Sequence, residues 1–288
     1  MENFLEKYNL SVDEQLITEI INLAKENANE ISTCALKQCF NSIDLTTLNA
    51  TDTPTQAKQM AEKVSNFANV YYNLPNVAAI CVYPALVSTV RKNLTDSNVK
   101  IASVSAGFPA SQTFVEVKVK ESILAIENGA DEVDIVISLG RFLEKDYQFV
   151  YDEIAEIKKA VGTNHVKVIL ETGAIKNLQL IRIASLVAME AGADFIKTST
   201  GKFYDAATPD AVCVMCQAID DYKMHNNRMV GIKPSGGIST TNEVLVYYNI
   251  IKSTLGNDWL NNKFFRIGAS RLANNLLTDI VGLETKYF

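Results

Sequence analysis

The sequence predicts an α/β fold, a (β/α)8 barrel with an N-terminal helical extension. Through its 288 residues, eight short and almost continuously apolar runs alternate with long amphipathic segments. Apolar character on both sides of a strand is typical of a parallel sheet that is covered by helices, and eight strand–helix units close a TIM barrel. The predicted strands are Phe40–Asp44, Val77–Val82, Lys100–Ser105, Glu132–Ile137, Val166–Glu171, Asp194–Ser199, Met229–Pro234 and Phe264–Ala269.

Signals for helix starts and ends separate these runs. Thr53 and Thr208 each precede a proline, which is the pattern of an N-cap followed by proline at the first helical position. The segment from Phe114 to Asn128 has apolar residues at helical spacing, and Gly129 then marks its end. Long helices are therefore expected between the strands.

The chain is predicted to divide into an N-terminal helical extension, residues 1–38, and a barrel domain, residues 39–288. The extension has the pattern of one or two helices. An open, doubly wound sheet is the rival fold. The eight near-equal units and the lack of a glycine-rich dinucleotide loop after the first strand favour the barrel.

Composition excludes several classes of protein. The net charge is −6 without a basic block, so the sequence is unlike that of a nucleic-acid-binding protein. The first ten residues lack the basic start and apolar core of a signal peptide. No apolar run approaches the roughly 20 residues of a membrane-spanning helix. We expect a cytoplasmic protein without membrane or nucleic-acid partners, whose five scattered cysteines are reduced thiols.

Histidine and cysteine usage narrows the chemistry further. His165 and His225 are the only histidines, which disfavours a histidine-based triad or a histidine-rich metal site. Acid–base chemistry would then come from carboxylates, lysine, tyrosine or cysteine. Cys213 and Cys216 form a single CxxC on a predicted helix without a second pair, so we expect buried thiols and no metal.

Two lysines on neighbouring predicted strands are the most unusual feature. Barrel enzymes place their sites at the carboxyl ends of strands, and Lys197 and Lys233 both lie there. One such lysine could simply extend its amine to solvent. A second ammonium about 6 Å away would lower the pKa of the first by about 2 units and create an amine nucleophile for a carbonyl. The polar residues late in the predicted strands are Asp44, Cys81, Asp134, Glu171, Lys197 and Lys233.

Asp134 lies between valine and isoleucine in the fourth predicted strand. A buried aspartate is rare unless it is paired. Near two lysines it could balance charge and move protons, whereas the alternative is an aspartate that holds a loop or a salt bridge.

Small residues follow the last three predicted strands. They include the Gly201–Lys202 pair, the Gly236–Gly237 pair and Gly268. Glycines at strand ends let backbone N–H groups approach an anion, and barrels build their phosphate sites from the last loops and a helix N-terminus. Each motif alone also fits an ordinary turn. Together they indicate a phosphorylated ligand.

These residues together resemble the deoxyribose-phosphate aldolases, a family of class I, Schiff-base-forming aldolases. The resemblance extends from about Ile43 to the C-terminus, with ordered motifs on seven of the eight predicted strands. The matching stretches are IDLTTLNATDT, AAICVYP, NGADEVDIVI, VILETG, AGADFIKTSTGK, GIKPSGG and FRIGAS.

The resemblance implies a cofactor-free lyase that cleaves 2-deoxyribose 5-phosphate to glyceraldehyde 3-phosphate and acetaldehyde in deoxyribose catabolism. Lys197 matches the Schiff-base lysine, Lys233 the second lysine that lowers its pKa, and Asp134 the carboxylate that moves protons. The implied partners are small phosphosugars and aldehydes, and the oligomeric state stays open, with a homodimer as one option. The substrate-binding and phosphate-binding candidates are Asp44, Cys81, Gly201, Lys202, Gly236, Gly237, Gly268, Ser270 and Arg271.

Three features depart from the family pattern, and the first is that residues 1 to about 38 are longer than the family's usual start. Ser239 stands where the family often has arginine, and Arg271 stands where it usually has a small residue. We expect Arg271 to supply part of the missing charge to the phosphate. Tyr287 is followed by Phe288, whereas members with a catalytic tail end in tyrosine, so the sequence leaves a role for Tyr287 open.

Two other functions remain compatible with these motifs. One is a Schiff-base barrel lyase that acts on a different phosphosugar. The other is a barrel that binds a phosphosugar without turnover. The Lys197, Lys233 and Asp134 set disfavours the second, because a binding protein has no need for two buried ammonium groups.

Overall fold

The computed structural model describes residues 5–30, 32–203 and 207–288. Eight parallel strands pair in sequence order, and β8 pairs with β1. Bridges from Ile232 to Phe265 and from Ser235 to Gly268 join β7 to β8. The predicted (β/α)8 TIM barrel is therefore confirmed. The strands are β1 (Ile43–Thr46), β2 (Ala79–Val82), β3 (Lys100–Ser105), β4 (Glu132–Val136), β5 (His165–Ile169), β6 (Phe195–Lys197), β7 (Gly231–Lys233) and β8 (Ile267–Ala269).

Helices surround the strands and start where the sequence predicts. Thr53 and Thr208 each accept a hydrogen bond from the backbone three residues ahead, both at 3.2 Å. The described α-helices are α1 (Glu14–Asn27), α2 (Thr33–Asn41), α3 (Pro54–Val70), α4 (Val87–Asn93), α5 (Val115–Glu127), α6 (Leu139–Leu143), α7 (Tyr147–Val161), α8 (Thr172–Ile175), α9 (Leu178–Glu190), α10 (Pro209–Asn226), α11 (Thr241–Leu255) and α12 (Leu272–Val281).

The first strand begins later than predicted. Phe40 and Asn41 belong to the last turn of α2, and β1 starts at Ile43. Phe40 is fully buried, and its ring packs against Phe67 and Phe288 with centroid distances of 5.3 and 6.2 Å. A buried aromatic residue satisfies a helix as well as a strand, so the apolar run alone misplaced this boundary.

The N-terminal segment packs on the outside of the barrel. Helix α1 lies against α10 and α11 through its buried face, which includes Ile17 and Ile21. The Arg182 side chain on α9 donates to the Asn9 carbonyl at 2.7 Å. In the described part of the chain, no helix has the length and hydropathy needed to cross a membrane.

Strand register brings charged side chains to a few levels of the barrel interior. Lys197 on β6 is directly opposite Lys233 on β7. Asp134 on β4 is opposite Lys167 on β5. Ile169 on β5 pairs with Lys197 on β6, and Lys167 precedes Ile169 by two residues. Lys167 therefore lies deeper in the barrel than Lys197. The parallel sheet thus stacks lysines and carboxylates that are far apart in sequence.

Candidate active site

Seven buried charged side chains meet inside the barrel, and we call them the barrel cluster. They come from β1, β4, β5, β6 and β7 and from the residue before β8, and their contacts cross the barrel because β4 and β8 lie on opposite sides of the ring. Burying so many charges is tolerated only when each finds a partner. The members are Asp44, Glu132, Asp134, Lys167, Lys197, Lys233 and Arg266.

Asp134 is the centre of the upper half of the barrel cluster. Its Oδ2 atom accepts from Lys197 Nζ at 2.8 Å and from Lys233 Nζ at 2.7 Å. Its Oδ1 atom accepts from Lys167 Nζ at 3.0 Å. The two amines on Oδ2 are therefore close neighbours, as the pair of strand-end lysines predicts.

Arg266 and Glu132 hold the lower half of the barrel cluster. The Arg266 guanidinium donates to Glu132 Oε1 at 2.8 Å and to Asp44 Oδ1 at 2.7 Å. Lys167 also contacts Glu132 Oε2, at 2.5 Å. The other oxygen of Asp44 accepts from Lys233. Each carboxylate is thus shared between two or more cations.

The protonation tendencies of the lysines differ. Burial lowers the pKa of Lys197, and the Lys233 ammonium lowers it further, against the opposing attraction of Asp134. Burial also disfavours the charged form of Lys233, but Asp134 and Asp44 outweigh it and raise the pKa of Lys233 above its usual value. Burial opposes charge on Lys167 too, and Asp134, Glu132 and Asp44 raise its pKa. Lys197 is the lysine of the barrel cluster that is biased toward the neutral amine.

A cavity of about 740 Å³ opens above Lys197 at the carboxyl ends of the strands. Of the barrel cluster, only Lys197 lines it. The loops after β1, β6, β7 and β8 form the walls. All seven predicted phosphate-binding residues are on these walls, namely Gly201, Lys202, Gly236, Gly237, Gly268, Ser270 and Arg271.

Glycines allow the close approach of these walls. A Cβ at Gly268 would lie 2.6 Å from Ser235 Cβ, so a larger residue would displace Ser235, and it would come into van der Waals contact with Lys233 Cε at 3.4 Å. Gly236 and Gly237 have φ values of 87° and 74°, a conformation that side chains with a Cβ rarely adopt. The loop after β7 therefore needs glycine for its shape.

Two cations, Lys202 and Arg271, line the cavity. Lys202 Nζ donates to the Leu48 carbonyl and so joins the loop after β6 to the loop after β1. Arg271 lies immediately before α12, and no hydrogen bond or ion pair joins its guanidinium to another residue that the structure describes. Ser239 does not supply a charge here. Its backbone N–H donates to Glu243 Oε2 at 2.9 Å, at the start of α11.

Glu171 has a structural task beside the cavity. This residue is 2% exposed and has a φ of 57°. Its carboxylate accepts from Thr200 Oγ1 at 2.6 Å and from Thr200 N at 3.2 Å. Lys202 N in turn donates to Thr200 Oγ1 at 3.1 Å. Glu171 thus orders the loop that carries Gly201 and Lys202.

The sequence predicts substrate contacts for Asp44 and Cys81, and neither side chain lines this cavity. Asp44 lies beneath Lys233, in contact with it and with Arg266. Cys81 is fully buried in a small apolar cluster with Leu48 and Val104. Burial raises the pKa of its thiol, so it is not an activated nucleophile.

Other residues considered in the sequence lie away from the cavity. Tyr287 OH donates to the Lys63 carbonyl at 2.7 Å, and its ring packs on Phe67. Cys213 and Cys216 are fully buried on α10, and burial raises the pKa of Cys213 to about 12. These thiols are core residues.

Three members of the barrel cluster were missed by the sequence analysis. Lys167 is the middle residue of β5, Glu132 is the first residue of β4, and Arg266 lies just before β8. The predicted site residues lie late in each strand, whereas these three residues lie deeper in the barrel. The signal was nevertheless present, because a charged residue inside an apolar strand needs a partner.

Comparisons with known proteins identify the family of this chain. A model of the DeoC/LacD family of aldolases matches residues 40–247. The deoxyribose-phosphate aldolase of Homo sapiens is 40% identical over 248 residues, which cover 83% of this chain and 78% of that protein. The corresponding Mus musculus enzyme is 41% identical over 248 residues, with the same coverage of 83% and 78%.

Solved structures show the same fold. The deoxyribose phosphate aldolase of Aeropyrum pernix, described as a tetramer, matches with a TM-score of 0.69 at 22% identity and covers 89% of this chain and 96% of its own. The aldolase QR15 matches with a TM-score of 0.67 at 28% identity, covering 84% and 96%. Because the family model spans most of the sequence and the curated relatives are about two-fifths identical, the chain belongs to the DeoC/LacD family of aldolases, which are lyases.

Proposed function

We propose that this aldolase cleaves 2-deoxy-D-ribose 5-phosphate to D-glyceraldehyde 3-phosphate and acetaldehyde through a Schiff base on Lys197, in the catabolism of deoxyribose phosphate. The observation that carries the proposal is the position of Lys197, the one amine of the barrel cluster that lines the cavity. Its pKa is lowered by burial and by Lys233. The curated relatives carry the name of this activity.

Bond formation begins at the sugar aldehyde. The neutral amine of Lys197 attacks C1, and loss of water gives a protonated imine, which draws electrons from the C2–C3 bond. Asp134, whose Oδ2 is 2.8 Å from Lys197 Nζ, is placed to move protons during these steps. The burial that lowers the pKa of Lys197 favours the neutral amine that this attack needs.

Bond cleavage requires removal of the C3 hydroxyl proton. Asp134 is buried beneath the cavity, so it accepts this proton through a water molecule as the C2–C3 electron pair moves to form the enamine. Glyceraldehyde 3-phosphate then leaves. Protonation of the enamine at C2 and hydrolysis of the imine release acetaldehyde and restore Lys197. Lys233 stays an ammonium throughout, because Asp134 and Asp44 raise its pKa.

The phosphate end of the sugar would bind in the glycine-lined end of the cavity. The backbone at Gly201, Gly236 and Gly237 allows close approach, and Lys202 and Arg271 supply positive charge. Binding energy from the phosphate, which is remote from the reacting carbons, can then be used to orient C1 toward Lys197.

Borohydride trapping tests this proposal. The protein is incubated with acetaldehyde and borohydride, and its peptides are mapped by mass spectrometry. We expect a reduced ethyl group on Lys197. A label on Lys233 instead would reverse the roles of the two lysines, and no label on any lysine would contradict a Schiff-base mechanism.

Substrate comparison separates the remaining alternatives. Acetaldehyde should be the required donor in the synthetic direction. If another carbonyl compound replaces acetaldehyde as the donor, the chain is a different Schiff-base lyase. Tight binding of the phosphosugar without turnover would instead indicate a binding protein.

A further inference from the structure

The charges of the barrel cluster do not balance when every group is ionised. Four members are cationic in their protonated forms, namely Lys167, Lys197, Lys233 and Arg266, and three are carboxylates. All seven are buried, and an uncompensated charge in such a place is costly. The loss of one proton from one lysine leaves three cations and three anions.

Contacts within the barrel cluster select which lysine gives up its proton. Lys167 contacts Glu132 at 2.5 Å and Asp134 at 3.0 Å, and Lys233 contacts both Asp44 and Asp134. Lys197 contacts a single carboxylate, Asp134. Because Lys197 has fewer anionic partners, its ammonium form is stabilised less than the ammonium forms of Lys167 and Lys233.

Arg266 is the fixed cation in this count. A guanidinium stays protonated at every pH at which proteins are folded. It touches neither Lys197 nor the cavity, and it lies between Glu132 at 2.8 Å and Asp44 at 2.7 Å. Arg266 partly neutralises Asp44 and Glu132, so these carboxylates stabilise the lysine ammonium groups less than they would without it.

We infer that Arg266 and Glu132 form a positioning pair whose charges set the protonation state of Lys197, although neither residue lines the cavity. The inference rests on the proposed function, in which Lys197 is the nucleophile. Arg266 acts through Asp44, Lys233 and Asp134 in turn. Glu132 acts through Lys167 and Asp134.

Charged groups from four strands surround Lys197. Asp134 and Glu132 come from β4, Lys167 from β5, Lys233 from β7 and Asp44 from β1. Cys81 on β2 interacts with Lys197, but its raised pKa keeps the thiol neutral. His165 Nδ1 lies 3.6 Å from Glu132 Oε1 and adds a positive charge only when protonated.

The pKa directions agree with three cations facing three anions. The pKa values of Glu132 and Asp134 are held below their usual value by the neighbouring cations, which overcome the effect of burial. The pKa of Arg266 is raised by Asp44 and Glu132, again against burial. Among the three amines of the barrel cluster, that of Lys197 has a lowered pKa, whereas those of Lys167 and Lys233 are raised.

Single charge removals test the inference in opposite directions. Arg266→Gln removes a cation, so the pKa of Lys197 should rise and the pH profile of borohydride trapping by acetaldehyde should move alkaline. Glu132→Gln removes an anion, so the profile should move acidic. For a charge on the order of 10 Å away at an effective dielectric near 20, the shift is about one pH unit.

The double variant Arg266→Gln/Glu132→Gln restores the charge count and should return the profile to near that of the unmodified protein. Arg266→Lys keeps the charge and should leave the midpoint in place, even if it lowers the melting temperature. A purely structural role predicts instead that the double variant is at least as impaired as either single variant. Profiles repeated in a His165→Gln background remove the contribution of that histidine.

A matched buried pair outside the barrel provides the control. Lys118 on α5 and Glu153 on α7 contact each other at 2.6 Å, and both side chains are 1% exposed. Replacing both, as Lys118→Met/Glu153→Leu, removes a buried ion pair without changing the barrel cluster. This control should leave the pH midpoint unchanged.

The possible outcomes separate this inference from the proposed function. If acetaldehyde never labels Lys197, the proposed function fails. If Lys197 is labelled in every variant but its pH midpoint does not move with the charge count, the inference alone is overturned. If Arg266→Gln does not fold, Glu132→Gln still tests it, since an acidic shift supports the inference and an unchanged or alkaline midpoint contradicts it.

Discussion

Lys118 and Lys197 are both buried lysines that contact a carboxylate, yet their surroundings differ. Lys118 Nζ donates to Glu153 at 2.6 Å and to the hydroxyls of Ser111 and Ser138, each at 2.8 Å. Its three N–H groups thus have three acceptors. Lys197 Nζ has one acceptor among the described residues, Asp134, and it faces a cavity.

The number of hydrogen-bond acceptors distinguishes Lys118, a structural lysine, from Lys197, a reactive lysine. A fully satisfied ammonium stabilises the packing around it and has no free lone pair to offer. An amine with few partners, beside a second cation, loses its proton more readily and can attack a carbonyl. Burial is common to both lysines, so burial alone does not identify a nucleophile.

The largest effect should come from replacing the reactive lysine. In Lys197→Met the nucleophile is absent, and we expect kcat for cleavage of 2-deoxyribose 5-phosphate to fall by about 1,000-fold or more. The melting temperature should change little, because Asp134 keeps Lys167 and Lys233. If kcat of Lys197→Met were comparable to that of the unmodified protein, Lys197 would not be the nucleophile.

Replacing the neighbouring cation should have the next largest effect. Lys233→Leu removes a positive charge from beside Lys197, so the lowered pKa of Lys197 rises and its neutral fraction at pH 7 falls. A rise of about 2 units lowers that fraction about 100-fold. The rate of imine formation against pH should move alkaline, and recovery of activity at high pH would distinguish this effect from misfolding.

An unshifted profile in Lys233→Leu would exclude the electrostatic role. Lys233 would then act directly in proton transfer, or it would only hold Asp44 and Asp134 in place.

Arg271 sharpens the comparison, because it is a cation that lines the cavity and has no carboxylate partner among the residues that the structure describes. Arg271→Ser should selectively weaken the phosphorylated substrate, because a charge-assisted contact to phosphate contributes roughly 1.5–3 kcal/mol, or about 10- to 150-fold in affinity. The measurement compares kcat/KM for 2-deoxyribose 5-phosphate and for 2-deoxyribose. Equal losses for both sugars would place Arg271 outside the phosphate site.

The smallest effect on catalysis should come from the structural lysine. Lys118→Met leaves Glu153 buried without its cation, which should cost about 3–5 kcal/mol in the free energy of unfolding. The kcat of the folded fraction should stay that of the unmodified protein. Denaturant unfolding and steady-state kinetics check the two halves of this prediction, and a lowered kcat would break the contrast between the two lysines.

The barrel could be predicted from the sequence because each buried strand is marked by a local pattern, an apolar run bounded by helix-capping residues. Apolar runs and capping residues such as Thr53 and Thr208 depend on neighbours a few residues away. The error at Phe40 arose from the same local reading, because one buried aromatic residue fits a strand or a helix equally well.

The site was only partly predictable for a physical reason. Lys197 and Lys233 stand out because each follows apolar residues at a strand end, and register then places them side by side. The partners Glu132 and Arg266 meet across the barrel, from residues 134 positions apart, and no spacing rule reports such a contact. That the three carboxylates are shared among four cations follows only from the closed ring.

The origin of the barrel cluster has a consequence for how the molecule assembles. All three acids, Asp44, Glu132 and Asp134, come from β1 to β4, and all four bases come from β5 onward. A fragment that ends before His165 would carry three carboxylates with none of these bases, and its complement would carry the bases without the acids. Neither fragment can bury its charges without the opposite charges of the other fragment. We therefore expect the two fragments to fold only when they associate, and not as independent half-barrels. Salt should weaken this association.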